Sequence, residues 1–224
     1  MATIGIEWVK KYNGLASNLT NTKPQAEGFY NTLSATRSFN WGDDLAWDQD
    51  FEAQGVGSPA SGTDTTWADN VDMVFFSGHG NPNGFVFGKK IDDAVAKNSE
   101  IRWGDRELEY IVLDACNVLE ETGVFGRWGW PVFKGLHYIL GFHTTTSDEA
   151  DRGRILAQYL NAGNTVRQAW IKACQDTEGS GTQWAYLRAD APGTDTYHDH
   201  WWGKGSVSAD PDNPNVLYYA RGAC

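Results

Sequence analysis

VDMVFFSGHG (residues 71–80) and YIVLDACN (residues 110–117) decide how this chain is read. In each, a continuous apolar run stops abruptly at a reactive side chain, His79 in the first and Cys116 in the second. Apolar runs without alternation suit strands buried on both faces, the habit of parallel sheets. The GHGNPNG that follows the first run is turn chemistry, because Gly and Asn tolerate positive φ. Parallel neighbours need a crossover connection, and the stretch between the two runs is long enough to hold a helix. In open α/β sheets ligands lie beyond the carboxyl ends of the strands. His79 and Cys116 are therefore expected at one sheet edge, on strand ends about 5 Å apart.

Working outward, residues 2–9 read as a first strand. Pro24 opens a helical pattern with Ala26, Phe29, Tyr30 and Leu33 on one face. Residues 38–70 are rich in Gly, Asp, Ser and Trp and read as a long loop, a place where function often resides. Residues 85–87 read as a short strand, 91–98 as a short helix and 136–142 as a third buried strand. Thr146, with Glu149 as capping-box partner, is expected to start a helix through Ile155, Leu156, Tyr159 and Leu160 that Gly163 ends. Asn164 is expected to cap another through Val166, Ala169, Trp170 and Ala173. Residues 183–188 and 216–220 look like late strands. Strands alternating with helices predict one α/β domain over residues 1–224, a three-layer α-β-α arrangement with a mostly parallel sheet and helices on both faces.

The chain has 224 residues, 29 acidic against 18 basic, for a formal charge of −11. That balance argues against nucleic acid and anionic membranes as partners, since phosphate binding needs a clustered cationic surface. A peptide or protein substrate is the expected partner; oligomeric state is open. No apolar run approaches membrane-spanning length, and the N-terminus lacks the order of a signal peptide. A soluble chain is expected, cytoplasmic or secreted after signal removal. Three cysteines make no disulfide scaffold. Cys174 shares helical spacing with Val166 and Trp170, which favours a buried apolar role over pairing with Cys224.

A thiol attacks a carbonyl as thiolate, and a nearby imidazole can hold that state or protonate the leaving amine. The glycines flanking His79 let the backbone turn sharply and approach a substrate. The amides of Gly80 and Cys116 are the candidate oxyanion donors. Asp114, two residues before Cys116, points to the same strand face. SGHG after one buried strand and DAC after the next resemble the cysteine peptidases of the caspase–hemoglobinase type, clan CD. The resemblance covers roughly residues 71–173 and includes HYILGF and TVRQAWIKA. DAC is more similar to metacaspases, clostripain and gingipains than to caspases, whose Q-A-C signature is absent. The whole chain looks like a poorly characterised bacterial branch of that clan.

The resemblance implies a caspase-like fold, Cys116 as nucleophile, His79 as base or proton donor, and Asp114 as a selector of Arg or Lys at the cleaved residue. A buried carboxylate is physically suited to a guanidinium or ammonium. The chain departs from many relatives in having Asn117-Val118-Leu119 after the cysteine, rather than His or Glu and then Ser-Gly. Asp64, in the long loop, and His143, after the third strand, are further candidates for substrate contact. The expected activity is a cysteine endopeptidase cutting after a basic residue.

Two other readings stand beside it. A pseudo-peptidase or binding module would use loop aromatics such as Trp41, Trp47, Trp67, Trp201 and Trp202. A transpeptidase or ligase would share the acyl-enzyme. No cofactor is expected. Asp43, Asp44, Asp48 and Asp50 could offer oxygens to calcium, but they lack the spaced Asp-x-Asp-x-Asp-Gly loop and read as a solvated acidic loop. His198 and His200 lack companion metal ligands and read as surface loop. His137 reads as a core-strand histidine.

Overall fold

The computed structural model describes residues 2–57, 61–91 and 93–224. In chain order its regular elements are β1 (Thr3–Trp8), α1 (Thr22–Thr32), β2 (Thr36–Gly42), β3 (Met73–Ser77), β4 (Gly80–Asn81), β5 (Gly84–Val86), β6 (Val95–Lys97), β7 (Tyr110–Asp114), β8 (Tyr138–Phe142), α2 (Arg152–Asn161), α3 (Val166–Thr177), β9 (Gln183–Asp190) and β10 (Val216–Ala223). The main sheet has seven strands in the order β10-β9-β8-β7-β3-β1-β2. From β2 to β8 neighbours are parallel, while β9 and β10 add antiparallel at one side. The protein is therefore an α/β fold on a mainly parallel, mixed sheet.

β3 and β7 are buried at every position, as their unbroken apolar runs require. Alternate residues serve opposite faces. Met73, Phe75, Tyr110, Val112, Tyr138 and Leu140 pack with the helices, through Ala26, Phe29, Leu156 and Trp170. Val74, Phe76, Ile111, Leu113 and Ile139 pack into a second core with Phe51, Phe85, Phe87, Trp103 and Trp128. All three α-helices thus lie on one face. The expectation of helices on both faces is not met among the described residues. The second face is covered by the small β4-β5-β6 sheet, short 3-10 turns and a π-helical turn at Phe125–Gly129. The crossover between β3 and β7 runs through that small sheet, and Val95–Lys97 is a strand where the sequence suggested a helix over 91–98, of which Asp92 lies outside the described residues. Aromatic side chains explain the substitution: rings such as Phe51, Phe76, Phe85 and Phe87, at centroid distances of 4.6 to 6.0 Å, bury large areas without needing a helical stripe.

Other boundaries also move. The supposed loop 38–70 contains most of β2, whose edge position exposes one face and hides the apolar signal. α2 starts at Arg152, not near Thr146, and α3 is capped by Thr165 rather than Asn164, in a capping box with Gln168. Cys174 is buried in the helical-face core, with Cys224 packed beside it; both are free thiols.

Gly153 on α2 sets how closely α1 approaches: a Cβ there would come 2.2 Å from the Gln25 carbonyl oxygen and 3.1 Å from the Phe29 Cβ. Gly153→Ala is expected to destabilise the fold by about 1–3 kcal/mol, because overpacking outweighs the helix propensity gained. A urea midpoint equal to or above wild type would refute that close fit.

Candidate functional site

The carboxyl ends of β1, β3, β7 and β8 converge where the strand order reverses, with β2 on one side of β1 and β3 on the other. Such a switch point opens a crevice. A small cleft of about 60 Å³ lies there, lined by Leu19, Thr22 and Gln25 after β1, Ser77 to His79 at the end of β3, Asp114 and Cys116 at the end of β7, and Thr146 to Asp148 after β8. Register explains the meeting of the two reactive residues. Ser77 pairs with Asp114 across β3 and β7, and His79 and Cys116 each lie two residues beyond that pair.

Cys116 sits on a tight turn whose next residue, Asn117, has φ of 57°. Asn tolerates this left-handed conformation better than other non-glycine residues. The Thr146 amide donates to Cys116 Sγ at 3.4 Å, and the thiol lies 3.6 Å from the Thr146 carbonyl oxygen. Burial pushes the thiol's pKa up, against the Thr146 amide, which lowers it. Gly80 presses on this turn: a Cβ would meet Val118 at 2.7 Å, Ala115 at 2.8 Å and the Cys116 carbonyl at 3.1 Å. The ladder bond beside it runs from Val86 N–H to the His79 carbonyl, leaving the Gly80 amide out of that bond.

His79 Nε2 lies 2.8 Å from the Ser17 carbonyl oxygen. A carbonyl only accepts, so Nε2 carries a proton, and in the neutral ring the lone pair is then on Nδ1. The His79 amide donates to the Tyr12 hydroxyl at 2.8 Å, and the two rings stand 4.6 Å apart. Thiol and imidazole thus share one cleft, each held by a backbone group.

Asp114 reaches the cleft, but its carboxylate is already engaged. Arg152 Nη1 donates to Oδ1 at 2.6 Å and Gln25 Nε2 to Oδ2 at 2.6 Å. Burial raises its pKa to about 6, with Arg152 opposing the rise. Asp114 lines the cleft as the sequence suggested, with an internal guanidinium, that of Arg152, paired to its carboxylate. Arg152 also pairs with Glu178, bonds Thr177 Oγ1 at 3.0 Å and lies 4.8 Å from the centre of the Phe142 ring. Glu178 accepts from the Thr146 hydroxyl at 2.6 Å and the Ser147 amide at 2.9 Å, so one chain of contacts runs from Asp114 to the loop that holds the thiol. Thr146 therefore serves Cys116 and Glu178 instead of capping a helix. Asp148 accepts the Thr20 and Asn21 amides at 2.6 and 3.1 Å, placing its charge at the start of α1.

Two candidates fall elsewhere. Asp64 does not line the cleft; it is buried in the second-face cover, where its carbonyl accepts the Asp69 amide at 2.8 Å. His143 lies beyond β8, with Nδ1 3.2 Å from the Glu121 amide and from the Tyr219 hydroxyl, and does not line the cleft either. The acidic loop is also less solvated than expected. Asp48 and Asp50 are buried, and Asp43 accepts the Lys10 and Lys11 amides at 2.8 and 2.9 Å. Trp201 is fully buried, whereas His137, as expected, is a core residue, held by Asp199 at 2.6 Å and Asp210 at 3.2 Å. Among the described residues no group of three or more His, Cys, Asp or Glu is arranged to hold a metal ion.

Buried carboxyls give the fold a distinctive pH response. Burial lifts Asp50 to about 6, Asp64 to about 7, and Asp69 and Glu109 to about 9. Each binds its proton more tightly folded than unfolded, so the stability they contribute is full below about pH 4 and lost as pH rises through the folded values. The urea midpoint is expected to fall steadily between pH 5 and 9; a flat or rising midpoint would contradict the assignment.

Fold and site together define an α/β protein with a mainly parallel sheet and a cysteine–histidine cleft at its carboxyl edge. Residues 6–222 match the family described as a domain of unknown function, DUF6345, and the chain belongs to that family. None of the curated proteins matches it. Among the described residues no helix is long and apolar enough to cross a membrane.

Proposed function

We propose that the protein is a cysteine hydrolase acting on peptide bonds, with Cys116 as nucleophile and His79 as its proton partner. The observation that carries this reading is the placement of both side chains in one cleft at register-matched positions beyond β3 and β7. In the proposed reaction the Cys116 proton passes to His79 Nδ1 and the thiolate attacks the substrate carbonyl carbon. The oxyanion forms beside the Gly80 and Cys116 amides. The C–N bond then breaks as His79 returns the proton to the departing amine, and water resolves the thioester. The lone pair needed at Nδ1 agrees with Nε2–H facing Ser17. The caspase–hemoglobinase resemblance supports the same roles. Asp114 is paired with Arg152, so a preference for Arg or Lys at the cleaved residue would require that pair to open to the substrate cation.

The test is cleavage profiling of a peptide library with wild type and Cys116→Ala. Products that vanish in the variant support the proposal; identical profiles remove it.

A second reading has one observation in its favour. The thiol is raised by burial and held by Thr146, which suits an idle dyad in a binding module. Iodoacetamide separates the two. Alkylation of Cys116 faster than a free thiol, and slowed by His79→Ala, favours catalysis. A rate no greater than that of a free thiol and indifferent to His79 favours binding.

A further inference from the structure

On the second face, away from the residues that line the cysteine cleft, a pocket of about 130 Å³ is lined by Trp41, Leu45, Trp47, Asp50 and Trp67. A water takes up about 30 Å³, so the space suits a group of a few heavy atoms. Three indoles form its walls. Trp41 and Trp67 meet edge to face at 5.4 Å, and all three tryptophans are half-buried. Lys89 Nζ stands 5.2 Å from the centre of the Trp47 ring, so the chain's own cation already uses one indole of this wall. The charged group among the five, and their one acceptor side chain, is the Asp50 carboxylate, itself only 2% exposed and bonded by Thr63 Oγ1 at 3.1 Å. Nearby on β1 is Glu7, fully buried, whose carboxyl senses the Asp50 charge and whose oxygens have no hydrogen-bond partner. Burial and Asp50 both push the Glu7 pKa well above its usual range, whereas burial lifts Asp50 only to about 6, so that Asp50 carries charge at neutral pH.

We propose that this pocket binds a methylated ammonium cation, with Trp41, Trp47 and Trp67 around its methyl groups and Asp50 as counter-charge. The lining selects that class. Indole faces attract cations through their quadrupole. A bare ammonium would bring three donors to a site with one acceptor side chain, and a sugar would leave hydroxyls unpaired, whereas a methylated ammonium has few or no donors to satisfy. An uncharged hydrocarbon would bury Asp50 without compensating it. The site is independent of Cys116 chemistry.

The test titrates choline, and its uncharged isostere with carbon in place of nitrogen, against the full chain by tryptophan fluorescence and calorimetry. Choline is expected to bind at least about tenfold tighter than the isostere, with Trp47→Ala and Asp50→Asn each weakening it several-fold, in line with cation–π energies of about 1–2 kcal/mol. Trp130→Ala, at an exposed tryptophan elsewhere, and Cys116→Ala should leave choline binding unchanged. If Trp47→Ala does not fold, Trp41→Phe and Asp50→Asn carry the same comparison. Equal affinity for choline and isostere, no saturation at millimolar choline, or choline binding indifferent to Asp50→Asn would overturn the proposal.

Discussion

Arg152→Met is expected to destabilise the fold by about 3–5 kcal/mol, the range for removing one partner from a buried ionic network. Arg152 is fully buried, and its guanidinium is shared between Asp114 and Glu178, whose side chains are 2% and 5% exposed. Methionine would keep much of the volume against Phe142 but leave two carboxylates without their cation. Asp114 would then take up a proton more readily, its pKa rising further above about 6 because the opposing Arg152 charge is gone. Urea denaturation at pH 7 checks the loss, and the defect should shrink at pH 5, where the freed Asp114 carboxyl binds a proton. Adding Asp114→Asn to Arg152→Met should recover part of the loss, because it removes one orphaned charge. A single variant within about 0.5 kcal/mol of wild type would mean that the network contributes little, and that Arg152 could leave Asp114 to a substrate cation at small cost.

His79→Ala is expected to lower turnover of a cleaved peptide by about 10²–10⁴-fold, the usual contribution of a positioned general base. Cys116→Ala should abolish turnover, since no other cysteine reaches the cleft: Cys174 and Cys224 are among the residues packed in the helical-face core. The two losses should not add in a double variant, because both residues serve the same acyl-transfer step. Because burial raises the Cys116 thiol above its ordinary range, alkylation of the free enzyme should accelerate as pH rises past neutrality. Stopped-flow alkylation and initial-rate kinetics measure both effects. Turnover surviving Cys116→Ala would place the chemistry elsewhere.

The parts of the fold that were legible are those whose signal is local. Apolar runs at β3, β7 and β8 read as strands because they are short, rich in β-branched and aromatic residues, and suited to burial on both faces. α3 and the core of α1 follow from helical spacing in the same way. β2 escaped notice because an edge strand buries little and its Arg37, Asn40 and Trp41 carry no alternation strong enough to separate it from loop. The helix expected from Thr146 failed for a different reason. The capping-box spelling is present, but Thr146 and Ser147 are drawn to Glu178 and the Cys116 sulfur, contacts that span about thirty residues of chain.

Sequence alone therefore determined that this is an α/β chain with a histidine and a cysteine at the carboxyl ends of two buried strands. That follows from residue type and strand period, which act within a few positions. Tertiary structure alone decided what surrounds them: that strand register sets His79 level with Cys116, that Arg152 pairs with Asp114, that Asp64 and His143 face other neighbours, and that Trp67 joins Trp41 and Trp47 beside Asp50. Each of these depends on which groups meet across the sheet or between loops. The energies involved, burial of charge and satisfaction of hydrogen bonds, are properties of that meeting and not of any single residue.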